Sequence, residues 1–273
     1  MTPPLDRLRA RLESVGAALC LGLDPHPAAL PDELARDAQG IETFARGILE
    51  AAADSVVAVK VNLAFFEAFG AAGWAALERL RRDVPDDVPL IIDAKRGDIG
   101  STADRQATSI FEVLEADGVT LSPYLGEDAI APFLAYEERI VYVLARTSNP
   151  SAATLQDLAV GAIPLYRHVA EWVAQRWPEP RVGLVVGATA PGELAELRTA
   201  VPGPAFLVPG VGAQGGDLAA AVRACHGTQA PGLVSVSRAI AHASSGPNWR
   251  EAAAAAAREM VAAMREVGAT LPA

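Results

Sequence analysis

At 273 residues the chain is long for an ordinary domain but close to the roughly 250 residues of a closed α/β barrel. Its residues are 51% hydrophobic and 21% charged, with no low-complexity linker, which excludes a largely disordered chain. The formal net charge of -10 excludes a general nucleic-acid binder, and no apolar run approaches the roughly 20 residues needed to cross a bilayer, so a cytoplasmic enzyme-like body is expected.

The N-terminal segment, about residues 1–16, places Leu5, Leu8 and Leu12 at helical spacing among charges and reads as a helical extension. Residues 17–23 (AALCLGL) form a first strand that delivers Asp24 to a loop at Pro25. Residues 31–53 have helical periodicity, with Gly40 expected to break them into two pieces. VVAVKVN at 56–62 is a β-branched run holding a single lysine, Lys60, which faces either an edge or a pocket, since lysine is rarely buried without a partner.

A helix over 67–84 and a turn at Asp86 and Asp87 lead to LIIDAKRGDIGST, residues 90–102, around which the chain is organised. Here a buried strand runs into Asp93, Lys95 and Asp98. Residues two apart on a strand share a face, and Gly97 allows the chain to bend Asp98 back toward the other two. The cluster is either a structural salt-bridge network, with Arg96 facing solvent, or a functional site.

A helix from Ser101 or Thr102 to Asp117 follows, then strand four over 118–121, helix-like residues 127–135 and strand five over 139–145, ending in Arg146 to Pro150. Residues 151–161 read as an excursion at a barrel rim, and residues 163–177 as a helix. Strands six, seven and eight (182–186, 205–208 and 233–236) alternate with helices over 191–200 and 216–225, and a last helix spans 249–267. Eight strands alternating with helices, without hairpin signals, predict a single-domain TIM (β/α)8 barrel; an open doubly wound sheet is the alternative.

Barrel sites lie at the C-terminal ends of the strands. Those ends carry Asp24, Lys60, Asp93, Lys95, Ser148 and Arg238 from five strands. After strand seven, PGVGAQGGD (209–217) offers Gly210, Gly212, Gln214 and Gly215 as a loop whose amides and following helix suit an anion, and Arg238 adds a guanidinium that matches phosphate. The scattered histidines and the two cysteines, Cys20 and Cys225, have no metal-ligand spacing, and no GxSxG or dinucleotide fingerprint occurs. The chemistry implied is electrostatic, with proton transfer by Lys95 and its neighbours on a compact anionic substrate.

These residues carry a resemblance. DxKxxDIxxT at 93–102, Lys60 in KVN, Asp24 in LGLDP, TSNPSA at 147–152, PGVGAQGGD and SRAI at 237–240 resemble the orotidine 5'-phosphate decarboxylases, in their longer bacterial subgroup (type 2). The resemblance implies Lys95 as proton donor to C6 of the pyrimidine, Asp93 against the substrate carboxylate, and Lys60 in a charge-alternating catalytic array that stabilises the carbanion without any cofactor. It implies Asp24 and Lys60 on the ribose, Ser148 on the base edge, Gln214 on base and phosphate, and Arg238 on phosphate. It further implies a homodimer in which the catalytic Asp98 and the substrate-binding Thr102 serve the partner's site, with Ile99 between them also among the substrate-binding residues. Ser237 departs from the glycine common before the phosphate arginine. Two other functions compete: a magnesium-dependent sugar-phosphate lyase or decarboxylase on the same barrel, and a non-catalytic phosphate-ligand binding protein.

Overall fold

The computed structural model describes residues 2–271. Among them, eight parallel strands close a barrel in sequence order: β1 (Leu19–Leu23), β2 (Ala58–Asn62), β3 (Leu90–Arg96), β4 (Gly118–Leu121), β5 (Ile140–Arg146), β6 (Val182–Val186), β7 (Phe206–Pro209) and β8 (Leu233–Val236). β8 closes on β1 through Leu19 opposite Val234, so no strand edge is left open. The strands are apolar runs buried on both faces, inward against the barrel centre and outward against the helices, as a parallel sheet requires.

The N-terminal extension is a helix, Pro4–Val15, stopped by Gly16 in the left-handed conformation at φ 64°. Met1, where that extension was expected to begin, lies outside the described residues. The helix is fastened to the N-terminal end of the barrel by a buried ion pair. Asp117, 1% exposed, accepts from Arg7 and from the Leu90 amide at 2.8 Å. Such a pair is costly to break because the survivor stays buried and charged.

Several boundaries differ from expectation for local reasons. Gly40 does not split a helix. It lies in the first turn of Ala38–Ala52, its amide bonded at 2.9 Å to the capping carboxylate of Asp37, and residues 31–37 form turns instead. The helix from Gly100 ends at Thr108 and passes into a π turn, Ser109–Val113, well short of Asp117. The excursion contains a helix, Ala153–Gln156, and a two-stranded antiparallel hairpin, Ala159–Val160 with Ile163–Pro164, so the following helix starts at Leu165. A four-residue helix, Arg238–Ala241, follows β8 and was not anticipated.

Among the described residues no helix is long and apolar enough to cross a membrane. Cys20 and Cys225 are buried free thiols, each pushed by burial up to about 12, which keeps them protonated and unreactive.

Candidate active site

The C-terminal mouth of the barrel holds a cavity of about 500 Å³, lined by Asp24, Lys60, Asp93, Lys95, Ser148, Gly210, Gln214 and Arg238 among others. Every strand end singled out in the sequence therefore meets at one place.

Lys60 comes from β2, where Gly22 of β1 and Ile91 of β3 are its neighbours in register. The residue is 5% exposed, and its ammonium group lies 2.8 Å from Asp93 Oδ2 and 3.7 Å from Asp24 Oδ1. Asp93 Oδ1 accepts from Lys95 Nζ at 2.6 Å. The order Asp24, Lys60, Asp93, Lys95 thus alternates in sign across the cavity floor. Burial alone would depress the Lys60 ammonium, but Asp24 and Asp93 outweigh it and hold it above the ordinary lysine range. Burial alone would likewise raise the Asp93 carboxyl. Lys60 and Lys95 outweigh that and hold it well below the usual carboxylate range.

Two members of the array have unspent hydrogen-bonding capacity. Asp24 Oδ1 is buried without a hydrogen-bond donor, 3.7 Å from the Lys60 ammonium. Lys95 is half-exposed, with a side-chain accessibility of 49%, so only one of its N–H groups is committed to Asp93 and the others face the cavity.

The backbone at Lys95 is unusual. Its φ is 47°, and the pairing of β3 with β4 shifts register between Ile92 and Arg96. Thr120 of β4 spans the irregularity: its hydroxyl accepts from the Lys95 amide at 3.0 Å and donates to Asp93 Oδ1 at 2.9 Å. Arg96 does not face free solvent but pairs with Glu67.

Across the mouth, Arg238 opens the short helix after β8, is exposed, and makes no ion pair among the described residues. The loop after β7 turns through Gly210, Gly212 and Gly215 at φ of 104°, 83° and 76°. Gly210 and Gln214 line the cavity, whereas Gly212 and Gly215 hold turn positions. The helix behind the loop, Leu218–Cys225, is capped by Asp217, whose carboxylate accepts from the Ala220 amide at 2.9 Å. The helix end expected to face an anion is therefore answered by the chain's own carboxylate. Ser237 fits because residue 22 is glycine: a Cβ there would lie 2.8 Å from Ser237 Cβ.

Asp98, Ile99 and Thr102 stand apart from this cavity. Asp98 accepts from the Ile99 amide, Ile99 is 49% exposed, and Thr102 lies exposed on the helix Gly100–Thr108. Among the described residues no group of three or more His, Cys, Asp or Glu side chains could hold a metal ion.

Residues 17–256 match the model of the orotidine 5'-phosphate decarboxylase / HUMPS family. The chain belongs to this family. It is similar to the orotidine 5'-phosphate decarboxylase of Roseiflexus castenholzii, 55% identical over 89% of this chain and 90% of that protein. It is also similar to that of Herpetosiphon aurantiacus, 46% identical over 91% of this chain and 93% of that protein.

Among solved structures, the OMP decarboxylase of Leishmania donovani superposes with a TM-score of 0.83 at 39% identity, covering 97% of this chain and 99% of its own. The UMP synthase of the same organism gives 0.84 at 41% identity over 97% of this chain, which spans 55% of that protein's length.

Among the polar cavity residues, Thr120, Gln156 and Ser235 went unmarked in the sequence, and Asn62 was given no role of its own. Asn62 ends β2 two residues after Lys60, so its position was available from the strand's period of two. Thr120 and Gln156 carried no such signal.

Proposed function

We propose that this protein decarboxylates orotidine 5'-phosphate to uridine 5'-phosphate, the last step of de novo UMP biosynthesis, without a cofactor. The observation that carries this reading is the alternating array Asp24, Lys60, Asp93, Lys95, placed in one cavity with an unpaired arginine at its far side. Arg238, with the loop around Gly210 and Gln214, takes the phosphate. Asp24 and Lys60, which both line the cavity, take the ribose hydroxyls. Ser148 and Gln214 take the base.

The substrate carboxylate then lies against Asp93. Because Lys60 and Lys95 keep Asp93 ionised, two carboxylates face each other in the bound state, and the repulsion is relieved as carbon dioxide departs. The bond from C6 to the carboxyl carbon breaks, its electron pair stays on C6, and the ammonium of Lys95 delivers a proton there. Fixed ammonium charges stabilise the developing carbanion without reorganisation of solvent.

The working unit is a cytoplasmic homodimer of single-barrel subunits, in which Asp98, Ile99 and Thr102 complete the neighbour's site. Their position outside their own cavity supports this arrangement.

The test is an assay of purified protein with orotidine 5'-phosphate and excess chelator. Loss of the orotate absorbance with release of carbon dioxide is expected. Turnover only on addition of magnesium would favour the metal-dependent sugar-phosphate chemistry, and no turnover above background would leave a binding protein.

A further inference from the structure

The excursion over 150–164 takes no part in closing the barrel, yet one of its side chains reaches the cavity. From 153 to 160 every residue is exposed except Gln156, which is half-buried and lines the cavity wall. Its neighbours Leu155 and Leu158 remain in solvent, at 44% and 53% exposure. Gln156 is therefore where the excursion is fastened to the barrel mouth.

The fastening uses both ends of the amide. Gln156 Oε1 accepts from the Thr147 amide at 2.9 Å and from Arg146 at 3.4 Å, while Nε2 donates to Thr147 Oγ1 at 2.7 Å. The Thr147 hydroxyl donates onward to Asn149 Oδ1 at 2.6 Å, and Asn149 Nδ2 donates to Ser151 Oγ at 3.1 Å. Each of these contacts pairs a donor with an acceptor. Flipping the Gln156 amide would set Nε2 against the Thr147 N–H, donor against donor, so only one orientation satisfies the group. Arg146 is itself held by Glu193 at 2.5 Å and by Asp157 at 3.3 Å, which ties the excursion to the strand end from a second side.

Ser148 sits inside this relay, between Thr147 and Asn149. Its other side is closed by backbone: a Cβ at Gly187 would lie 3.0 Å from Ser148 Cβ, and one at Gly210 would lie 3.5 Å from it. The serine is thus held between glycine backbone and a polar relay whose anchor is Gln156.

We propose that Gln156 is a positioning residue for base recognition: acting through Thr147, it fixes Ser148 against the edge of the pyrimidine. The inference rests on the role given to Ser148 above. It assigns the excursion to reading the base, whereas Arg238 and the charged array stand on other strands and share no hydrogen bond with Gln156. Loss of the Gln156 amide therefore weakens ligands that carry a base and spares those that do not.

The experiment measures binding of uridine 5'-phosphate and of ribose 5-phosphate to the full chain by calorimetry, for wild type, Gln156→Leu, Thr147→Val and the double variant. Wild type binds the nucleotide more tightly than the sugar phosphate. Gln156→Leu weakens the nucleotide about tenfold, as loss of a satisfied buried hydrogen-bond group does, and leaves ribose 5-phosphate within about twofold. Thr147→Val reproduces the effect, and the double variant is no weaker than either single one, because both break the same relay.

Equal losses for the two ligands, or an unchanged nucleotide affinity, would overturn the proposal, as would full additivity in the double variant. Should Gln156→Leu not fold, Thr147→Val carries the same comparison. Wild-type turnover, measured alongside, separates this inference from the proposed activity. Turnover without a base-selective loss removes the inference alone, and a base-selective loss without turnover removes the activity alone.

Discussion

Lys95 Nζ lies 2.6 Å from Asp93 Oδ1, and the chain reaches this contact by abandoning regular strand geometry at Lys95, where φ is 47°. In an unbroken strand, residues two apart would face the same way without help. Here the register of β3 against β4 slips, and the Thr120 hydroxyl bonds both the Lys95 amide and the Asp93 carboxylate. Thr120 thus determines where the proposed proton donor and its counter-ion stand.

Replacing Thr120 with valine keeps the shape and removes both bonds. Bonds to charged groups contribute about 1.5–3 kcal/mol, so kcat should fall roughly tenfold to a hundredfold. Affinity for ribose 5-phosphate should stay near wild type, since its contacts lie elsewhere. Steady-state kinetics and calorimetry read the two effects separately, and serine at 120 should restore most of the rate. An unchanged kcat would remove Thr120 from the proposed role.

Lys95 combines the proposed proton donor with a strained backbone, and two substitutions separate these properties. Lys95→Ala and Lys95→Gly should both abolish turnover, by at least about a thousandfold if the lysine is the proton donor. They should differ in stability. A non-glycine residue in the left-handed region costs about 1–2 kcal/mol, part of which is offset by the extra freedom of glycine when unfolded, so the glycine variant should be about 1 kcal/mol more stable than the alanine variant. Urea denaturation of the pair checks this, and equal stabilities would show that the backbone at 95 is relaxed.

How much of this was legible in the sequence follows from what each feature depends on. The barrel was readable because alternating apolar strands and amphipathic helices are local patterns, and strand ends of one polarity in a parallel barrel must converge. That placed Asp24, Lys60, Asp93, Lys95, Ser148 and Arg238 at one mouth before any coordinates. Thr120 was not readable, because a threonine within GVTL looks like one more β-branched strand residue. Its role arises only from the register slip opposite it.

Gln156 was hidden for a different reason. It lies in an excursion whose turns have no period, and its partner Thr147 lies nine residues away across a loop. The cap at Asp217 shows the reverse case. The glycine-rich loop before it suggested an open helix end, yet the aspartate at its close already fills the capping position.

The charged array also makes a prediction about pH. Asp93 titrates lower in the folded chain than in the unfolded one, so its charge stabilises the fold at any pH above the unfolded carboxylate value of about 3.9. That contribution is lost as pH falls below this value toward the folded pKa. Lys60 is the mirror case: its pKa is raised on folding, and its contribution is complete below about 10.4 and lost as pH rises through the folded value. The stability gap between wild type and Asp93→Asn should therefore be constant from about pH 5 to 9 and narrow below about pH 4. Denaturant titrations across that range measure it, and a gap that stayed flat to the acid limit would mean that Asp93 titrates normally.

The loop that follows Lys95 carries the last prediction. Asp98 and Thr102 do not line their own cavity, and Ile99 beside them is 49% exposed. The neighbouring loop after β4 exposes Tyr124 at 76% and Leu125 at 49%, and the two loops are joined by the Ser122 amide donating to the Arg96 carbonyl at 2.7 Å. Apolar exposure beside unused polar groups suits an interface in which each subunit lends Asp98 to the other. Lys95→Ala and Asp98→Ala should each be inactive alone. In an equal mixture allowed to exchange subunits, half of the dimers are mixed, and each mixed dimer holds one site with both residues intact. Activity should therefore return to about a quarter of wild type, following from closed twofold symmetry. No recovery in mixtures shown to exchange subunits would place Asp98 in the site of its own chain, and activity of Asp98→Ala by itself would put the residue outside the chemistry.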